Sequence, residues 1–201
     1  MELKKYLEGK AFYFVDDCFS CDEKDVEYLF LLESPHKEEI KTQVPLSGKS
    51  GKAVSKFLFG ENEEESFGEK VKNKKTNQKI GIVNISNVPL QIIEIISKTI
   101  EIPKELEDIR NSKKENAILY KIFKEKMDKM SFPNIKKIIV CGEFAFTYFN
   151  KYNTEERNGE VKWAHDIISV VPHPSRGQWA FILKNEQHLK EIVNLFEKPS
   201  E

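Results

Sequence analysis

The sequence predicts an α/β protein, a mainly parallel four-stranded sheet covered by helices on both faces. Three observations carry that reading. Four short apolar runs, each ending in a turn-like or polar stretch, have the length of buried strands. Segments of helical periodicity lie between them, giving a broadly strand, helix, strand, helix order. The chain has 201 residues, 39% of them hydrophobic, which suffices for one domain, 1–201, with a buried core.

The first strand is "VEYLFLLE" from Val26, and "GKAVSKFLFG" is the helix that follows it. The next segment, Gly60 to Lys79, splits into an acidic block and a lysine block and reads as an exposed loop. It is either a solvated insertion or a lysine arm that touches phosphates. The second strand is "KIGIVNISN" from Lys79, and a long helical segment runs from about Pro103 to Met130. "IKKIIVCG" from Ile135 is the third strand, "EFAFTYFNKY" the helix after it, and "AHDIISVVPH" from Ala164 the fourth strand. "NEQHLKEIVNLFEK" closes the chain as a helix. Ligands of such sheets collect at the carboxyl ends of the strands. Three polar motifs stand there: "ESPH", "SNVPLQ" and "PHPSRGQW".

Charged residues make up 32%, which together with the apolar content excludes a generally disordered chain. The formal net charge of -1 provides no global attraction for nucleic acid, so any such partner needs a local basic patch. "MELKKYLEGKAFYFVDD" lacks the features of a signal peptide, and no run approaches the length of a membrane span. A cytoplasmic protein without a membrane partner is expected. Cys18 and Cys21 form a "CFSC" hook, half of a metal or cluster site, but no second half follows and the four histidines show no ligand spacing. No metal and no cofactor are expected. Cys141 ends an apolar run and reads as a small buried thiol.

The stretch "GKSGK" resembles the end of a nucleotide-binding loop, yet Gln43 stands where that loop requires its first glycine. Roughly a dozen residues also separate the strand from Gly48, where the loop should follow directly. The reading that survives is an anion-binding loop at a helix start, with Ser47, Gly48 and Ser50 near the cap and Lys49 and Lys52 adding charge. A nucleic-acid phosphate suits it as well as a nucleotide.

Taken together, the motifs after the strands resemble those of the uracil-DNA glycosylase superfamily. "LESPHKEEIKTQVPLSGKSGKAV" resembles the branch whose first motif runs Gly-Glu-Ala-Pro-Gly and continues to Gly-x-Pro-Phe-Val-Gly-x-Ala-Gly. Glu33 and Pro35 fall on its first half, and Pro45, Gly48 and Gly51 on its second. "ISNV" is similar to the family's Ile-Thr-Asn-Val, with Asn87 at the base-reading asparagine, and "VVPHPSRG" resembles its His-Pro-Ser motif through His173, Pro174 and Ser175. Cys141-Gly142 and the helix after them complete a likeness from about Val26 to Gln178. The resemblance implies a three-layer α/β/α sandwich.

It also implies a DNA glycosylase that hydrolyses the bond of uracil or another damaged base, in single- or double-stranded DNA, as a monomer. Glu33 then positions water and stabilises a sugar cation, while His173 donates to the departing base. Ser34, His36, Leu46 and Asn87 line the base site, and Ser47, Gly48, Lys49, Ser175 and Arg176 meet phosphates or DNA. Leu32 replaces the motif's first glycine, Leu46 its stacking phenylalanine, and Arg176-Gly177 stand where a leucine wedge is common. These departures leave a second reading open, a catalytically silent nucleic-acid or nucleotide binding module on the same fold. Bland roles also stay open: Asn87 as a turn cap before Pro89, Glu33 as a strand-end surface carboxylate, His173 as a pre-proline turn residue.

Overall fold

In the computed structural model, which describes residues 2–9, 11–95, 98–106, 116–155, 161–174, 179, 192 and 194, the strands divide their side chains by parity. In β2 (Tyr28–Leu32), Leu29 and Leu31 enter one core while Phe30 and Leu32 enter another. In β6 (Lys137–Cys141), Ile138 and Val140 join the first core, Ile139 and Cys141 the second. Successive side chains of a strand point to opposite faces, so the sheet has a core on each side.

The first core is closed by α1 (Leu3–Glu8), α5 (Ala117–Lys129) and α6 (Glu143–Thr154), through residues such as Tyr6, Phe123 and Tyr148. The second is closed by α3 (Lys49–Phe59) and α4 (Phe67–Lys72), through Val54, Leu58, Phe67 and Val71, together with Trp179 and Ile192. Three layers result. The short α2 (Lys37–Thr42) lies between β2 and α3 in the chain.

All four expected strands form, and β2, β3 (Ile80–Asn84), β6 and β7 (Ile168–Val171) run parallel in the order β3-β2-β6-β7. Among the described residues the sheet has five strands rather than four, because β1 (Cys18–Phe19) pairs antiparallel on the outer edge of β3. A separate antiparallel ribbon joins β4 (Ile93–Ile95) and β5 (Lys98–Ile100). Strands of two or three residues are too short to carry a period, which is why neither was read from the sequence.

Two further expectations need correction. Within Gly60–Lys79, Phe67, Gly68 and Val71 are buried on α4, so that segment is not simply an exposed loop. The signal was present: Ser66 accepts from the Glu69 N–H at 3.3 Å, and the Glu69 carboxylate accepts from the Ser66 N–H at 3.2 Å, a reciprocal cap. Of the long segment from Pro103 to Met130, residues 104–106 are helical, 107–115 lie outside the described residues, and Ala117–Lys129 is a helix of its own, started by Asn116, whose side chain accepts from the Ile118 and Leu119 N–H groups. Most of the closing helix lies outside the described residues. No helix among the described residues is long and apolar enough to cross a membrane.

Candidate active site at the carboxyl ends of the sheet

Sheet order decides which motifs meet. Reading across the carboxyl ends of the parallel strands, Asn84 ends β3, Glu33 follows β2, Gly142 follows β6, and His173 stands two residues beyond β7. The loops after β2 and β3 are laced together: the Leu32 carbonyl accepts from the Ile85 N–H at 2.7 Å, and the Glu33 carbonyl from the Ser86 N–H at 3.0 Å. Gly142 donates its N–H to the Val171 carbonyl at 2.8 Å, and a Cβ on it would stand 3.0 Å from that of His173. Gly142 also has φ +92°, so a residue without a side chain is required there to admit the histidine. Glu33 and His173 are both half-buried, on strand ends two inter-strand spacings apart, about 10 Å.

Asn87 is occupied in a different way. Its Nδ2 donates to the Val15 carbonyl at 2.7 Å and to Asp17 at 3.0 Å, and its Oδ1 accepts from Lys126 at 2.9 Å. Both halves of the amide are engaged in fastening the N-terminal segment and α5 to this loop. Asn84, three residues earlier, is the contrast. Its side chain is 1% exposed, and neither Oδ1 nor Nδ2 has a hydrogen-bond partner among the described residues. Leaving two such atoms unpaired costs about 1–3 kcal/mol each, and the residue that carries them pairs with Leu32, the chain neighbour of Glu33, at the strand end. Sequence reasoning passed over Asn84, although the last residue of an apolar strand in such a sheet is a signal for a ligand position.

The glycine loop is built tightly. Glu39, 8% exposed, accepts the His36 N–H at 2.6 Å and the Leu46 N–H at 2.5 Å, joining the start of α2 to the loop. Burial pushes its carboxyl up to about 7 against the two backbone donors that favour the ionised form. Ser47 is buried, with its hydroxyl 2.6 Å from that of Thr42. Leu46 is 3% exposed in the second core and has φ 52°, so the residue read as base-facing is part of the packing. Gly48 caps α3 and lets the Glu38 stem approach, since a Cβ there would be 3.2 Å from that of Glu38. Lys49 is exposed on the first turn of α3, His36 is exposed at the start of α2, and Ser34 is half-buried. Ser175 and Arg176 lie outside the described residues.

The cysteine hook does not converge. Cys18 is buried in the second core and its thiol is pushed up to about 11 by burial, whereas Cys21 packs against the first. Among the described residues, no group of three or more His, Cys, Asp or Glu side chains is placed to hold a metal ion.

Comparison with known proteins adds one positive finding. No individual curated protein matches the chain. The family model for the uracil DNA glycosylase superfamily matches residues 19–197, a span that holds all seven strands but β1's first residue and every strand-end residue described above. With that match over most of its length and a parallel sheet between two helical layers, the chain belongs to the uracil DNA glycosylase superfamily.

Proposed function

We propose that this protein is a DNA N-glycosylase that hydrolyses the bond between deoxyribose and uracil or another damaged base. The observation that carries the reading is the amide of Asn84, buried on the strand end beside that of Leu32 and Glu33 and without a hydrogen-bond partner among the described residues. A uracil edge presents a carbonyl oxygen beside an N–H, and an asparagine amide presents the complement, an N–H beside a carbonyl oxygen. Asn84 is therefore the base reader in this proposal, and Asn87 holds the loop.

Cleavage of the glycosidic bond leaves its electron pair on the base and a cation-like centre at C1′. Glu33 faces the positive side of that charge separation: its carboxylate stabilises the sugar and accepts a proton from the water whose oxygen bonds to C1′. His173 serves the negative side, donating a hydrogen bond to a base oxygen as charge develops, and the departing base finally takes a proton. A single well-placed donor of this kind is worth about 10²–10³ in rate. DNA, in single or double strands, is the proposed partner.

Labelled oligonucleotides carrying uracil, hypoxanthine or xanthine, treated with alkali to break abasic sites, test the reading. Strand breaks with at least one of them, lost in Glu33→Gln and in Asn84→Ala, are expected. Salt-sensitive oligonucleotide binding without any base release would support the binding-only alternative, which Leu46 favours because an aliphatic side chain packed in the second core offers a base no ring to stack on.

A further inference from the structure

We infer that the half-buried Asp17–Lys126 ion pair is a positioning device that sets Asn84 for base reading, an inference that rests on the function proposed above. The reason begins at the edge of the sheet. β1 covers the outer edge of β3 only at Phe19↔Gly81 and Cys18↔Ile82, and it starts at Cys18. Asn84 lies beyond that cover. Since Ile85 donates toward β2, the N–H and carbonyl of Asn84 point the other way, to an edge with no strand beside it among the described residues. Two side chains continue the ladder there: Asp17 Oδ1 accepts the Asn84 N–H at 3.0 Å, and Lys126 Nζ donates to the Asn84 carbonyl.

The pair is closed on itself and on this strand end. Lys126 Nζ lies 3.2 Å from Asp17 Oδ2, 2.9 Å from Asn87 Oδ1, and on the Asn84 carbonyl, which accounts for all three of its donors. Asp17 Oδ1 takes the Asn87 Nδ2 at 3.0 Å in addition to the Asn84 N–H. The side chains are only 17% and 7% exposed. An ion pair withdrawn from water is a poor way to gain stability, and apolar residues of similar volume commonly do as well or better. What this pair supplies is geometry. Every donor of the ammonium ends on Asp17, Asn84 or Asn87, so α5 and the N-terminal segment grip one residue from the side that β2 does not reach. The amide of Asn84 then projects from a backbone held on both flanks, which is the preorganisation that reading a polar edge requires.

The test uses Lys126→Met, Lys126→Arg and the charge-free double variant Asp17→Asn/Lys126→Met, each alone and with Asn84→Ala. The double variant guards against unfolding caused by a stranded buried carboxylate. Two readouts are taken: amide hydrogen exchange by NMR, and the rate of uracil release. Expected are exchange at the Asn84 N–H about tenfold faster with Leu31 and Ile139 still protected, and kcat lowered about ten- to hundredfold with part of the loss restored by Lys126→Arg. Combined with Asn84→Ala, none of the three clamp variants should slow release further. Unchanged exchange at Asn84 in folded variants, or losses that simply multiply with Asn84→Ala, would overturn the inference. So would loss of the whole fold in the double variant, since the pair would then support the sheet rather than one residue. If the wild type releases no base, the proposed function falls, and the exchange readout alone still decides the clamp.

Discussion

Asn84 and Asn87 have the same side chain and opposite circumstances. Asn84→Leu removes two buried unpaired polar atoms at similar volume, so its thermal stability should equal or exceed that of the wild type while base release falls at least about 10²-fold. Asn87→Ala should instead cost about 1–3 kcal/mol in denaturant unfolding, because it strips partners from Lys126, Asp17 and Val15. An inactive Asn87→Ala of undiminished stability would return base reading to Asn87. Glu39 makes a pH prediction. Its folded carboxyl titrates at about 7 against an ordinary 4.5, so the native state holds the proton more tightly than the unfolded chain. Its contribution is complete below about 4.5 and is lost as pH rises through about 7, a span worth roughly 3 kcal/mol. Relative to Glu39→Gln, the wild type should therefore lose stability between pH 5 and pH 8 in parallel denaturant titrations. The sequence could not show this, because Glu39 sits in a charged run and only burial distinguishes it from Glu38, its exposed neighbour.

At the level of elements, the loop from Pro45 to Gly48 is fixed by helices that touch it through glycine. A Cβ on Gly51 of α3 would lie 1.6 Å from the Leu46 carbonyl oxygen, and one on Gly68 of α4 would lie 1.7 Å from that of Pro45. Gly51→Ala and Gly68→Ala should each destabilise by about 2–3 kcal/mol or fail to fold, measured by denaturant unfolding, because the obstacle is backbone and cannot swing aside. The two glycines had different visibility. Gly51 falls on a motif that suggested anion binding, and the contact shows it permitting close packing; Gly68 falls in a charged segment that gave no reason to look for a buried contact. Parallel strands were legible because β2, β3 and β6 are buried on both faces and read as apolar runs. β1 and the β4–β5 ribbon were not, since their pairing is decided by what lies beside them.

Across the whole molecule, a net charge of -1 conceals an uneven surface. Two of the lysines after the acidic block are matched at close range: Lys70 with Glu63 at 2.8 Å, and Lys75 with Glu65 at 2.9 Å. α3 carries no acidic residue, and its Lys49, Lys52 and Lys56 are exposed and form no ion pair among the described residues. Spaced three and four apart, they share one face of the helix that starts at Gly48. Replacing all three by alanine should weaken oligonucleotide binding and reduce the slope of log K against log salt by up to about 3, while Lys75→Ala leaves the slope unchanged. The sequence by itself determined the four parallel strands, their alternation with helices and the motifs that follow them, because burial on both faces and turn chemistry are written in neighbouring residues. Only the tertiary structure decided which asparagine keeps an open amide, which glycines admit a backbone, and which lysines are already paired. Each of those depends on residues distant in the chain, as Asn84 depends on Asp17 and on Lys126, and no local pattern records such a partner.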